Sequence, residues 1–366
     1  MGIRAGAVEV LVKKDFWAGR RVLLTGQTGF KGAWLAFWLA ELGAEISGLA
    51  LPPSTTPNLH DILGLPKLGR FVHADINDRA ALQALARAAR PEIVIHMAAQ
   101  AIVRRSYAAP IETFAANVLG VATLLDVVRE CPETKAVVVV TSDKVYENVS
   151  WPWGYRETDT LGGHDPYSAS KACAEILTAS MRRSFFHAAG HAARIATVRA
   201  GNVIGGGDWA ADRLVPDIVR GCLGPEATVR LRNPGAVRPW QHVLEPLGAY
   251  LMIAERLCTA PEGVDDAWNI GPDTAEYRPV RVVAEALVKA LGRGRIEVVS
   301  DPNAPAEAKL LTLDSSRIRM QLGWRPRLDF GRTIALTADW YAAWSRGEPI
   351  DAVTRAQISA YLENGK

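Results

Sequence analysis

From Arg21 onward, short runs with consecutive apolar positions alternate with longer stretches whose apolar residues recur every three or four positions. Residues 21–25, 46–51, 70–74, 93–97 and 137–142 carry the first pattern, which predicts strands buried on both faces. Residues 34–42, 79–89, 118–129 and 167–188 carry the second, which predicts helices. This rhythm implies an α/β chain with an open, doubly wound parallel sheet, whose ligand crevice lies at the carboxyl ends of the strands. After Ala200 the rhythm breaks into a glycine-rich segment, GNVIGGGDW, and shorter elements, which predicts a smaller α/β domain. Residues 243–257 are helical again and return to the first domain. The expected organisation is therefore interleaved: 16–201, rejoined by 240–268, form the sheet domain, and 202–239 with 269–350 form the smaller one. No internal repeat or low-complexity tract is present.

Composition narrows the function classes. The 366 residues are 49% apolar and 22% charged, as in ordinary globular proteins, with a net charge of only +3. Nucleic-acid binding would call for a concentrated basic stripe. No stretch approaches 18 to 20 uncharged apolar residues, so neither a membrane nor a nucleic acid is expected as a partner. The opening MGIRAGAVEVLVKKDFW lacks the regions of a signal peptide, and Gly2 is not an acylation site because position 6 is glycine. Cys131, Cys173, Cys222 and Cys258 show no CxxC pair and no histidine at ligand spacing, which predicts no metal and a reducing cytoplasm. Five tryptophans (Trp151, Trp153, Trp209, Trp240 and Trp268) fall in loop-like contexts, where packing is their ordinary role and a few could wall a pocket.

The first strand runs into Gly26-Gln-Thr28-Gly29-Phe30-Lys31-Gly32, a strand, a glycine turn and the opening of a helix. Such glycines permit a tight turn and close approach of backbone amides to a pyrophosphate at the positive end of the helix dipole. The second strand ends Leu49-Ala-Leu51-Pro52-Pro53-Ser54, with no carboxylate for a ribose and no arginine cluster for a ribose phosphate. NAD is therefore favoured over NADP by absence. Asp75-Ile76 either reaches the adenine edge or caps a helix.

Tyr167 and Lys171 are four residues apart and share one helix face, so the ammonium can stabilise a phenolate acting as a general base. With the glycine turn, this pair resembles the extended short-chain dehydrogenases/reductases that act on nucleotide sugars, and so implies a Rossmann sheet. The strand ending Ser142-Asp143-Lys144 is similar to that of the family's 4,6-dehydratases, in which a hydroxyl residue beside the tyrosine bonds the sugar and two further groups serve C5 and C6. Further similar stretches are Ala98-Ala99-Gln100, Arg104 with Ser106, Asn117, Asn202, Asp208-Trp209, Arg213, Arg232 and Arg238. The resemblance spans Phe16 to the C-terminus. It implies cofactor contacts at the glycine turn, Asp75, Ile76, 98–100, Asn117, Tyr167 and Lys171. It also implies CDP-glucose contacts at Arg104, Ser106, Asn202, Asp208, Trp209, Arg213, Arg232 and Arg238, and a homodimer or dimer of dimers through 117–129 and 167–188. One departure stands out: relatives acting on TDP-glucose or GDP-mannose carry Glu where this chain has Lys144. The lysine is either the C5 base or a cation facing the developing enolate. A 4-epimerase, and a cofactor-binding regulator without turnover, are the rival readings.

Overall fold

The computed structural model describes residues 11–299 and 310–363; the N-terminal readings on residues 1–10, including Gly2, and the part of the smaller domain at 300–309 lie outside the described residues. Seven parallel strands form the central sheet: β1 Arg21–Thr25, β2 Glu45–Ala50, β3 Arg70–His73, β4 Ile93–His96, β5 Ala136–Val140, β6 Arg194–Ala200 and β7 Ala267–Ile270. Their order is β7-β6-β5-β4-β1-β2-β3, so the topology reverses direction beside β1, between β2 and β4. An open α/β sheet presents its ligand crevice at such a reversal. Five strands agree with the sequence pattern to within two residues. β5 stops at Val140 because Ser142 begins a 3-10 turn, its Oγ accepting from Lys144 N at 3.2 Å.

The helices that position the site are α1 Phe30–Glu41, α2 Arg79–Ala89, α3 Gly120–Val128, α4 Pro166–Met181, α5 Leu214–Leu223, α6 Leu244–Thr259, α7 Val280–Leu291, α8 Phe330–Ser345 and α9 Ile350–Glu363. α1 starts four residues earlier than its apolar spacing predicts because Gly29 serves as its N-cap. Its residues 32–39 are all buried, including Trp34 and Trp38. The smaller lobe contains α5, α7 and the parallel pair Thr228–Leu231 and Arg295–Val298. β7 runs through the expected seam at 268/269, and α9 returns to the sheet layer, where Tyr361 meets Trp38 edge-on at 5.9 Å and Arg355 pairs with Glu41 at 2.8 Å.

One helical run bears on the composition argument. The continuous helical run Pro110–Val128 is long and apolar enough to cross a bilayer by length and mean hydropathy, at 1.6. It nevertheless carries Glu112 and Asp126, and its Val121, Leu124, Leu125 and Val128 are buried where α3 packs on α2 and α4.

The C-terminal segment is held by a buried carboxyl. Glu245 on α6 accepts from Arg327 N and Leu328 N at 2.7 Å each, and Tyr361 donates to it at 3.0 Å. Burial outweighs these bonds and pushes its pKa up to about 7. A raised folded-state pKa makes the folded chain prefer the protonated group. The resulting stability is complete below the ordinary value near 4.5 and is lost as pH rises through 7. Glu245→Gln preserves the shape, keeps an oxygen to accept from the two amides and can donate its NH2 to Tyr361 Oη, all without titrating. The melting temperature of the native protein should therefore fall relative to the variant by about 4 °C between pH 5 and pH 8, corresponding to ~3 kcal/mol. A difference that stays flat across that range in scanning calorimetry would contradict the assignment.

Candidate active site

A cleft of about 870 Å³ opens at the carboxyl ends of six strands, β1 to β6, and reaches across to the smaller lobe. On one side lies the glycine turn. Gly26 has φ +80°, and a Cβ there would meet Ala98 N at 2.6 Å; a Cβ on Gly32 would come within 2.0 Å of Gly26 O. Only glycine permits this turn, which leaves the backbone of Gly29, Phe30, Lys31 and Gly32 lining the cleft at the start of α1. Thr28 Oγ1 donates to Leu51 O at 2.9 Å, tying the turn to the end of β2. Ala98, Ala99 and Gln100 line the same wall, with Asp75 and Ile76 at its far edge. The carboxylate of Asp75 accepts from Asn77 N at 2.8 Å, whereas the cap of α2 is Asp78; the helix-cap reading of Asp75 therefore does not hold. Leu51, Pro52 and Ser54 line the cleft with no carboxylate among them.

The catalytic candidates face that cradle. Asp165 caps α4 by accepting from Ser168 N at 2.9 Å, and Pro166 opens the helix, so Tyr167 enters the cleft in the first turn and Lys171 one turn later. Ser142, Asp143 and Lys144 approach on the turn after β5. Asp143 is buried. Its Oδ1 accepts from Ser142 Oγ at 3.0 Å, and its Oδ2 has no hydrogen-bond partner among the described residues. Burial raises its pKa above the usual carboxylate range, against the pull of Lys144, Ser142 and Arg238. Gly201 admits this carboxyl: a Cβ at 201 would lie 1.9 Å from Asp143 Oδ2.

The electrostatics modify one expectation. Burial holds Tyr167 above its ordinary phenol value, while Ser142 and Arg213 pull it down. The Lys171 ammonium instead donates to Val140 O at 3.2 Å. Burial lowers the pKa of Lys171 to about 8, with Glu175 opposing the shift, and lowers that of Lys31 to about 7, helped by Lys171 and Arg213. Burial, joined at Lys31 by neighbouring cations, thus pushes both amines toward their neutral forms, a shift that an anionic ligand in the cleft would oppose.

On the substrate side, Asn202, Asp208, Trp209, Arg213, Arg232, Arg238 and Arg104 all line the cleft. Asp208 pairs with Arg213 at 3.1 Å, and Trp209 packs against Tyr341 and Trp344. Arg238 is buried and donates to Val237 O at 2.8 Å. Trp209 and Trp240 wall the cleft, whereas Trp151, Trp153 and Trp268 do not. Two expected contacts point elsewhere. Ser106 is buried with its hydroxyl donated to Val103 O at 2.7 Å, the bond a helical serine makes to its own preceding turn. Asn117 lies behind the wall, accepting from Gln100 N at 2.8 Å and donating to Ser170 Oγ at 2.9 Å, so it braces the loop instead of lining the cleft. The sequence reading also missed Asp212. It sits at φ +60° and bridges Arg232 at 2.9 Å and Arg104 at 3.8 Å across the cleft mouth. No short motif marks it, because its partners come from two distant segments.

A reversed parallel sheet, a glycine cradle and a Tyr-x-x-x-Lys helix facing a Ser-Asp-Lys turn define the protein's class, an extended short-chain dehydrogenase/reductase on a Rossmann fold. More narrowly, the chain belongs to the GDP-mannose 4,6 dehydratase family, whose model matches residues 23–337. It is 45% identical to a CDP-glucose 4,6-dehydratase of Salmonella typhimurium over 96% of this chain and 99% of that protein. It is 28% identical to a dTDP-glucose 4,6-dehydratase of Xanthomonas campestris over 89% and 95%. Among solved structures, the dTDP-glucose 4,6-dehydratase of Streptomyces venezuelae with NAD and TYD bound is similar at TM-score 0.75 and 25% identity, covering 90% of this chain and 99% of that one. The UDP-glucose 4-epimerase of Thermus thermophilus in complex with NAD is similar at TM-score 0.74 and 26% identity, covering 88% and 98%.

Proposed function

We propose that this protein is a NAD-dependent hydro-lyase that converts CDP-glucose to CDP-4-keto-6-deoxyglucose. The observation that carries the reading is the pairing, across one cleft, of the Tyr167 helix with a buried, high-pKa Asp143. A 4-epimerase needs the first group and has no use for the second. The relative that is 45% identical over 96% of the chain supports the choice of sugar nucleotide. The cradle at Gly26, Gly29 and Gly32, the wall at 98–100 and the edge at Asp75 and Ile76 fit a dinucleotide, and the carboxylate-free end of β2 fits NAD. When bound, NAD supplies a hydride acceptor for C4 and a hydride donor for C6.

The chain's own groups move the protons. Tyr167 takes the 4-hydroxyl proton, with Ser142 holding that hydroxyl and Lys171 supplying positive charge nearby. The resulting 4-ketone acidifies C5, whose proton passes to Lys144 when its amine is unprotonated; as an ammonium, Lys144 would face the developing enolate instead. Asp143, a buried carboxyl whose pKa is raised by that burial, is the acid that donates to the leaving 6-hydroxyl. Arg104, Arg232 and Arg238 provide guanidinium groups for the diphosphate. The four free thiols fit a reducing cytoplasm. A homodimer through Pro110–Val128 and α4 fits the exposed Ile111, Leu119 and Ile176 on those helices.

Incubation with CDP-glucose labelled with deuterium at C4 tests the scheme. The expected product has lost one water and carries the label at C6. An isomer of unchanged mass would make the protein a 4-epimerase, and label lost to solvent would rule out internal hydride return. Running GDP-, UDP- and dTDP-glucose in parallel checks the choice of base.

A further inference from the structure

Glu175 and Arg199 are both buried and pair at 2.9 Å, in the core behind the site. A buried ion pair seldom adds net stability over apolar packing, so its value lies in what it fixes in place. Glu175 accepts from Thr197 Oγ1 at 2.7 Å and from Thr141 Oγ1. Arg199 donates to Tyr146 Oη at 2.8 Å and to Glu157 O at 3.2 Å, and Tyr146 in turn donates to Asn269 Oδ1 at 2.6 Å. Thr141 and Tyr146 are the residues just before and just after the turn that bears Ser142, Asp143 and Lys144. Glu175 also lies one helical turn beyond Lys171, which bonds the carbonyl of Val140. Successive turns of α4 thus grip successive residues at the end of β5.

We infer that the Glu175–Arg199 pair is a positioning clamp: it holds the Ser142–Lys144 turn at both ends and sets its register against Tyr167 and Lys171. The inference rests on the catalytic reading above. Neither charged residue touches the cleft, so both act through Thr141 and Tyr146. Reactivity in a site of this kind depends steeply on sub-ångström placement of the reacting groups.

Removing one charge would strand the other in the core and endanger folding, so the test deletes single hydroxyls. Thr141→Val and Tyr146→Phe are each expected to lower kcat by about 10- to 100-fold while KM for CDP-glucose stays within about twofold. Thr141→Ser, which keeps the hydroxyl, should recover kcat to within about threefold of native. Native kcat in both deletion variants, a KM that rises in step with the fall in kcat, or failure of serine to rescue would each overturn the clamp. Tyr167→Phe in the same assay separates the two readings. Full activity there would overturn the catalytic assignment and the clamp with it. An inactive Tyr167→Phe beside a native-like Thr141→Val would overturn the clamp alone.

Discussion

Tyr167→Phe should reduce kcat for loss of water from CDP-glucose by about 10²- to 10⁴-fold, the range typical of a positioned general base, with substrate and cofactor affinity little changed. The effect is large because the phenol is buried in the first turn of α4, and no other phenol among the described residues lines the cleft. The substitution removes one oxygen and leaves the ring packing intact, so calorimetry should show a native-like transition. Burial keeps Tyr167 above its ordinary pKa in the ligand-free protein, which makes base strength depend on neighbouring cations. Arg213 is the cation that pulls it down, alongside the hydrogen bond with Ser142. The Arg213→Met variant should therefore need a higher pH to reach its maximal rate. If Tyr167→Phe retains kcat within about tenfold of native, another group takes the C4 hydroxyl proton.

Asp143→Asn should be comparably severe, at about 10²- to 10⁴-fold in water loss, yet leave C4 chemistry intact. Asparagine keeps the shape that Gly201 accommodates but has no acidic proton to give the 6-hydroxyl. Exchange at C5 is then uncoupled from elimination: in deuterated water, recovered CDP-glucose should gain label at C5 while 4-keto-6-deoxy product fails to accumulate. The pH profile supplies an independent check. A carboxyl whose pKa is raised by burial is an acid below that pKa and a spent carboxylate above it, so the native rate should fall as pH rises through the folded-state value. The residual rate of Asp143→Asn should lack that alkaline limb. Rapid product formation by the variant would remove Asp143 from the elimination step.

The parallel sheet was legible because strands buried on both faces show consecutive apolar residues, as in β4 and β5. β6 escaped the same reading. Its Thr197 and Arg199 are polar yet buried, satisfied by a carboxylate on α4 that no local pattern links to them. Motifs identified the groups around the cleft but not the direction each side chain takes. Hence Ser106 and Asn117, expected as a substrate contact and a cofactor contact, turn instead to Val103 O and to Ser170 Oγ. Lys171 was expected beside the phenol, and its bond to the end of β5 becomes visible only when helix and strand are packed together. Asp212 depends on a left-handed backbone and on arginines more than a hundred residues apart, information that no spacing rule contains.

The fit between Asp143 and the empty side of residue 201 has an evolutionary corollary. Any side chain at 201 collides with the carboxyl, at 1.9 Å for the first carbon alone, so the two positions cannot drift independently. A lineage that exchanged the acid for a smaller residue would release the glycine. One that first acquired alanine at 201 would have to give up the acid's present orientation. Position 201 thus acts as reserved space for the carboxyl, and a change at either place is felt at the other.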